Sequence, residues 1–119
     1  MKILIIDDNK DITDAMSLYA ESQGISCEVA NNGKDGIDLL KKENFDLTLL
    51  DIAMPGFSGY DVIDSIKNEE IFDLKKIVII TASSLDDSTI TKIKSSGIYS
   101  VVRKPISIDG LQEILDKFQ

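Results

Sequence analysis

Short apolar runs recur along the chain, separated by longer stretches of mixed polarity. The runs cover residues 3–6, 26–30, 47–50, 77–80 and 100–102. A run of this length bounded by polar residues is typical of a strand that is covered on both faces, as in a parallel sheet. The pattern therefore predicts five buried strands.

The stretches between the runs show helical periodicity. Ile12, Ala15, Met16 and Tyr19 share one helical face, and Gly24 follows as a C-terminal stop. Similar patterns cover residues 36–42, 60–67 and 108–118, and a Ser- and Thr-rich stretch at 84–96 predicts a helix of low intrinsic stability. Five alternations of strand and helix predict an α/β domain whose parallel sheet carries helices on both faces.

Length and composition fit one soluble globular domain. The chain has 119 residues, of which 43% are hydrophobic and 29% are charged, and we expect all of residues 1–119 to form a single unit. The first apolar run is too short for a signal peptide or a membrane span, which predicts a cytoplasmic protein. The single cysteine, Cys27, agrees with a reducing compartment.

The charge balance and the missing histidine exclude several kinds of chemistry. The net charge of -8 disfavours nucleic acid or an anionic membrane as the main partner. With no His and one Cys, the chain cannot build a His- or Cys-based zinc site or a Ser-His or Cys-His catalytic pair. Any reaction must therefore use residues such as Asp, Lys or Thr.

Polar residues stand where four of the predicted strands end. They are Asp7, Asp8, Asp51, Thr81 and Lys104. Ligands of open parallel sheets bind outside the carboxyl ends of the strands, so these side chains should converge. Clustered carboxylates repel one another unless a cation lies among them, and an all-oxygen site suits Mg²⁺.

Asp51 at the exit of a buried strand could act as a nucleophile that forms an aspartyl phosphate. Phosphoryl transfer requires mainly positioning and charge neutralisation, which Mg²⁺, Lys104 and Thr81 would supply. Each residue also has a simpler explanation when taken alone. The Asp7-Asp8-Asn9 segment could be a helix-capping turn, Asp51 a strand-end turn, Thr81 a strand former and Lys104 a solvated charge.

Four segments in order resemble one known family over essentially the whole chain. They are Ile3-Leu4-Ile5-Ile6-Asp7-Asp8-Asn9, Leu49-Leu50-Asp51-Ile52-Ala53-Met54-Pro55-Gly56-Phe57-Ser58-Gly59, Thr81-Ala82 and Lys104-Pro105. The sequence resembles the response-regulator receiver domain of two-component, His-Asp phosphorelay signalling, of the stand-alone type found in chemotaxis regulators. The resemblance implies a flavodoxin-like, doubly wound (βα)5 fold with strand order 2-1-3-4-5.

The resemblance also implies a metal site and a peptide geometry. Asp7, Asp8 and Asp51 would bind Mg²⁺, or Mn²⁺ in its place, together with the backbone carbonyl of Ala53. The bond before Pro105 is expected to be cis, which is uncommon even before proline.

For phosphorylation, the resemblance makes Asp51 the phosphoacceptor and brings Thr81 and Lys104 into contact with the phosphoryl group. Ala53 and Ser83 stand at positions that influence the lifetime of the phosphorylated state. The implied donor is a histidine kinase or a histidine phosphotransfer protein. We expect no output domain, so the output would come from binding a downstream protein through residues 82–110, or from passing the phosphoryl group onward.

One position departs from the family pattern. Receivers usually carry Tyr or Phe three residues before the lysine, and here that residue is Val101. Tyr99 lies two residues earlier, too near the predicted start of the strand to replace the aromatic ring. We therefore expect signalling to depend on the loop after Thr81 and on the helix predicted at 84–96.

Two other functions remain open at this point. A degenerate receiver could act as a protein-binding module without phosphorylation, and the Val101 substitution favours this slightly. A phosphatase with an Asp nucleophile, such as a haloacid-dehalogenase-like hydrolase, is the enzymatic alternative. Those hydrolases use Asp-x-Asp at the first strand and usually a cap domain, whereas this chain has adjacent Asp7 and Asp8 and no length for a cap.

Overall fold

A computed structural model describes residues 1–81 and 85–119 of the chain. The strands are β1 (Lys2–Ile6), β2 (Ser26–Ala30), β3 (Leu47–Asp51), β4 (Ile77–Thr81) and β5 (Ser100–Arg103). The α-helices are α1 (Lys10–Ser22), α2 (Gly33–Lys42), α3 (Gly59–Glu69), α4 (Asp87–Lys94) and α5 (Ile108–Phe118), and a short 3₁₀ turn covers Leu74–Lys76.

The strands form one parallel sheet in the order β2-β1-β3-β4-β5, which confirms the predicted flavodoxin-like fold. In the register, Ile5 lies between Val29 and Leu49. The chain moves outward from β1 to β2 and then returns to place β3 on the other side of β1. This reversal leaves a crevice at the carboxyl ends of β1 and β3, where such sheets bind ligands.

Alternating side chains divide the core into two layers. One layer contains Leu4, Ile6, Leu50 and Ile79, which pack with residues of α2, α3 and α4 such as Val62. The other contains Ile3, Ile5, Leu49 and Ile80, which pack with residues of α1 and α5 such as Leu115. β3 and β4 are buried along their whole length, as their continuous apolar runs indicate. Each buried Ile or Leu of these layers stabilises the fold by about 1.5–3 kcal/mol.

The predicted bounds of the helix at 84–96 are wrong, because α4 covers only Asp87–Lys94. Residues 82–84 lie outside the described part of the chain. Asp86 caps the helix by accepting a hydrogen bond of 2.8 Å from the Thr89 N–H. Asp is a strong N-cap residue and so starts the helix later than the Ser pattern suggested. At the other end, Ser95 and Ser96 donate their hydroxyls to backbone carbonyls within the last turn, which competes with further helix.

The end of α1 follows the prediction. Gln23 forms the C-cap and Gly24 adopts a positive φ of 78°, a conformation that glycine reaches without the steric cost of a side chain. Across residues 1–81 and 85–119, no helix combines the length and apolar character needed to cross a membrane.

Candidate functional site

Three carboxylates meet at the crevice between β1 and β3. Asp7 follows β1 directly, Asp51 ends β3, and one oxygen from each of Asp7, Asp8 and Asp51 lies within 4.8 Å of the others. Asp7 and Asp51 are buried, with 2% of each residue exposed, whereas Asp8 is exposed. The predicted convergence of these residues is therefore present in the fold.

Backbone groups hold the two buried carboxylates in place. The Asn9 N–H donates to Asp7 Oδ1 at 2.9 Å, and the Ala53 N–H donates to Asp51 Oδ1 at 3.2 Å. The cap of α1 is Asn9, which accepts hydrogen bonds from the first helical turn. Because Asn9 does the capping, the carboxylates of Asp7 and Asp8 are not needed for it.

Lys104 directly follows β5, and its side chain reaches this cluster. Its Nζ lies 3.0 Å from Asp7 Oδ2 and 3.5 Å from Asp51 Oδ1. The Lys104 N–H donates to the Thr81 carbonyl at 2.7 Å, which ties the segment after β5 to the end of β4. Lys104 is thus a paired ammonium in the crevice, not a solvated surface charge. Its peptide bond to Pro105 is cis.

Thr81 ends β4 and is fully buried. Its Oγ1 has no hydrogen-bond partner among the described residues. A buried hydroxyl without a partner costs about 1–3 kcal/mol, so the pocket favours an occupant with acceptor or donor atoms.

Burial and charge shift the ionisation of the cluster. Burial raises the pKa of Asp51, and the nearby Asp7 carboxylate raises it further, while the Ala53 N–H and Lys104 oppose these effects. Burial alone would lower the pKa of Lys104, but the carboxylates of Asp7 and Asp51 outweigh it, so that this pKa is raised. The site therefore combines a firmly protonated ammonium with carboxylates that repel one another.

The donor set fits Mg²⁺. Three carboxylates within 4.8 Å of one another supply only oxygen ligands, and one Lys104 charge does not balance them. A small divalent cation that prefers oxygen and keeps several waters matches both features. Asp8, exposed beside two buried carboxylates, leaves one side of the cluster open to solvent.

Two residues support the site in ways that the sequence does not reveal. A Cβ atom on Gly59 would lie 2.6 Å from the Asp51 carbonyl oxygen and from Ile52 Cα, so only glycine lets α3 begin this close to β3. Asn31, after β2, donates from Nδ2 to the Asp7 carbonyl at 2.9 Å and to Thr13 Oγ1 at 3.1 Å. The sequence marks both residues only as turn formers, because their roles depend on distances across the fold.

The side chains of Val101 and Tyr99 contact different parts of the fold. Val101 pairs with Ile79 in the sheet and packs against the core layer that faces α4. Tyr99 precedes β5, and its ring packs edge-on against Phe118 with the ring centroids 4.8 Å apart. Thr81 pairs with the last residue of β5, roughly 13 Å along the strand from Tyr99. Tyr99 therefore does not replace the aromatic residue missing at position 101. Ser83, the other position singled out in the sequence near Thr81, lies outside the described residues.

The sequence matches the family described as the response regulator receiver domain over residues 3–116. The chain belongs to this family and is a receiver domain of two-component signalling, in which phosphorylation and Mg²⁺ binding are typical.

Curated relatives agree with this assignment. The chain is 33% identical over 105 residues to the response regulator SaeR of Staphylococcus aureus, covering 88% of this chain and 44% of that protein. It is 27% identical over 120 residues to the probable C4-dicarboxylate response regulator DctR of Bacillus subtilis, covering 99% of this chain and 52% of that protein. The chain thus spans about half the length of these relatives.

Solved structures show the same fold. The chemotaxis protein CheY4 of Vibrio cholerae matches with a TM-score of 0.87 at 20% identity, covering 99% of this chain and 98% of that one. The receiver domain of the Francisella response regulator 1452 matches with a TM-score of 0.84 at 24% identity, with the same coverage.

Proposed function

We propose that this domain is a phosphorylation switch that accepts a phosphoryl group on Asp51. The observation that supports it best is the buried Asp51 carboxylate, which lies beside Asp7 and Asp8 and 3.5 Å from the Lys104 ammonium. The donor would be the phosphohistidine of a kinase or of a phosphotransfer protein, because the chain has no histidine of its own.

In the proposed reaction, an Asp51 carboxylate oxygen attacks the phosphorus of the phosphohistidine. A phosphorus–oxygen bond forms, the phosphorus–nitrogen bond breaks, and the electron pair leaves with the donor's imidazole. Lys104 would stabilise the charge on the phosphoryl oxygens, since its raised pKa keeps it protonated. Phosphoryl transfer requires little covalent help from a protein beyond positioning of this kind.

The proposed metal ligands are the carboxylates of Asp7, Asp8 and Asp51 and the backbone carbonyl of Ala53. Mg²⁺ bound there would neutralise negative charge at the phosphoryl group, and Mn²⁺ accepts the same oxygen ligands. The backbone N–H of Ala53 already fixes one Asp51 oxygen at 3.2 Å, which leaves the other oxygen available for attack.

Thr81 would report the phosphorylated state. Its hydroxyl has no partner among the described residues and could donate to a phosphoryl oxygen. The response would then reach the surface formed by residues 82–110, which we propose as the binding surface for a downstream protein. Ala53 and Ser83 would influence the lifetime of the aspartyl phosphate.

The direct test is intact mass after incubation with acetyl phosphate and Mg²⁺. We expect one added phosphoryl group in the wild type, none in Asp51→Asn, and a normal adduct in Asp38→Asn, which alters an exposed carboxylate on α2. No adduct in the folded wild type would instead support a phosphorylation-independent binding module, which the Val101 substitution favours. Continuous turnover of phosphomonoesters would indicate a phosphatase.

A further inference from the structure

Arg103 connects the end of β5 to the beginning of α4. Its Nη1 donates to the Leu85 carbonyl at 2.6 Å, and its Nη2 lies 2.9 Å from Asp87 Oδ1. Arg103 also pairs with Thr81 in the sheet and directly precedes Lys104. The Arg103 backbone thus adjoins two residues of the proposed phosphorylation site, and its side chain contacts the beginning of a helix on the proposed output surface.

Arg103 projects from the face of β5 that carries Val101. The two residues are separated by one position, so their side chains leave the strand on the same side. Val101 packs into the core layer that contains residues of α4, but its short aliphatic side chain offers no polar contact. On this face, Arg103 makes a polar contact with the beginning of α4.

The chemistry of the guanidinium suits this position. Its planar donors can hold a backbone carbonyl and a carboxylate at the same time, which a lysine ammonium does less well. A positive charge at a helix N-terminus is unfavourable by itself, because the helix dipole is positive there. The carboxylates of Asp86 and Asp87 offset this, and the Arg103 charge contributes, after the Thr89 hydrogen bonds, to lowering the pKa of Asp86.

The ion pair between Arg103 and Asp87 is weak enough to break when its surroundings change. The Asp87 side chain is otherwise fully exposed, and exposed ion pairs of this kind are weak. The only residue of α4 that is buried is Ile93, near the end of the helix. Near its beginning, α4 is held by the Asp86 cap, by the packing of Leu85 against the core and by Arg103.

We propose that Arg103 is a positioning residue that clamps the first turn of α4 to the end of β5 while Asp51 is unphosphorylated, and that phosphorylation weakens this clamp. The second part rests on the proposed function. Thr81 pairs with Arg103 in the sheet, so a displacement of Thr81 toward a phosphoryl group would disturb the strand pair from which Arg103 holds the Leu85 carbonyl. Breaking a contact that belongs to the unphosphorylated arrangement shifts the population away from it.

Hydrogen–deuterium exchange of the α4 amides tests the clamp in unphosphorylated protein. We expect Arg103→Gln to accelerate exchange in α4 by about three- to tenfold, with a smaller increase for Asp87→Asn, which leaves Arg103 and its bond to the Leu85 carbonyl in place. Lys41→Gln is the matched control, since it removes another exposed ion pair, with Glu69 at 3.2 Å, and should leave α4 unchanged. Unchanged α4 exchange in both folded clamp variants would overturn the proposal.

A second comparison, with and without acetyl phosphate and Mg²⁺, tests the link to phosphorylation. Phosphorylation should accelerate α4 exchange in the wild type and have a much smaller effect in Arg103→Gln. If an adduct forms and wild-type α4 exchange does not change, the coupling is refuted. If no adduct forms, the proposed function fails, while the result in unphosphorylated protein still decides whether the clamp exists.

Discussion

Replacing Asp51 by Asn should stabilise the folded protein when no metal is present. The Asp51 side chain is only 3% exposed, and its carboxylate lies within 4.8 Å of those of Asp7 and Asp8. The proposed metal and phosphorylation site keeps negative charges close together, and their repulsion destabilises the fold when no cation is bound. Asn has nearly the same shape and removes one of these charges.

The distances give the size of the effect. With an effective dielectric constant of about 20, each carboxylate repels Asp51 by roughly 3.5 kcal/mol, and Lys104 at 3.5 Å attracts it by roughly 5 kcal/mol. Two repulsions exceed the one attraction, although solvent screens the exposed Asp8. We therefore expect Asp51→Asn to raise the free energy of unfolding by about 1–2 kcal/mol, which corresponds to about 4–8 °C in Tm.

The assay is urea and thermal unfolding followed by circular dichroism, because the chain has no Trp. It should be carried out at neutral pH and low ionic strength with a chelator, with Asp38→Asn as the control for loss of an exposed carboxylate. Added Mg²⁺ should stabilise the wild type more than Asp51→Asn and so reduce the difference, because the variant has lost a ligand.

The pH dependence has a defined sign. The pKa of Asp51 is raised in the folded state, so folded wild type takes up a proton at a higher pH than the unfolded chain does. The wild type therefore loses its penalty as the pH falls through this raised pKa, and the advantage of Asp51→Asn should shrink. A variant that is no more stable than the wild type, or an advantage that persists unchanged into acid, would refute this reasoning.

A buried hydroxyl, a close backbone contact and a helix cap should each affect stability or exchange measurably. Thr48→Val should raise the free energy of unfolding by about 1 kcal/mol in urea denaturation, because the fully buried Thr48 hydroxyl has no hydrogen-bond partner among the described residues. A loss of stability would show that the hydroxyl does have a partner. Gly59→Ala should lower the same quantity by about 1–3 kcal/mol, because its Cβ would lie 2.6 Å from backbone atoms of β3 and its end; unchanged stability would mean that α3 shifts freely. The pKa of Asp86 is lowered by its hydrogen bonds with Thr89. Amide exchange in α4, corrected for the intrinsic rate, should therefore accelerate as the pH falls through this lowered pKa. Asp86→Asn should remove this pH dependence.

The sheet could be predicted from the sequence because each strand is a short, continuous apolar run bounded by polar residues. The carboxyl ends of parallel strands share one edge, so the convergence of Asp7, Asp51 and Lys104 followed from the strand positions alone. The bounds of α4 could not be predicted in this way, since a single N-cap residue, Asp86, decides where the helix begins.

The supporting contacts could not be predicted from the sequence. The close approach of Gly59 to β3 and the reach of Arg103 to the Leu85 carbonyl depend on distances between elements that periodicity does not contain. The contact between Tyr99 and Phe118 likewise depends on how α5 packs at the far end of the sheet. Local patterns determine where elements form, whereas these contacts depend on how the elements are placed together.

The most direct test of the central claim is to locate the phosphoryl group chemically. Borohydride reduces an acyl phosphate to an alcohol, so phosphorylated protein can be reduced, digested and analysed by peptide mass spectrometry. We expect the side chain of Asp51 alone to be reduced, only after incubation with both the phosphodonor and Mg²⁺. Reduction at Asp7 or Asp8, or a phosphoryl group that resists borohydride on a Ser or Thr, would contradict the assignment of Asp51 as the phosphoacceptor.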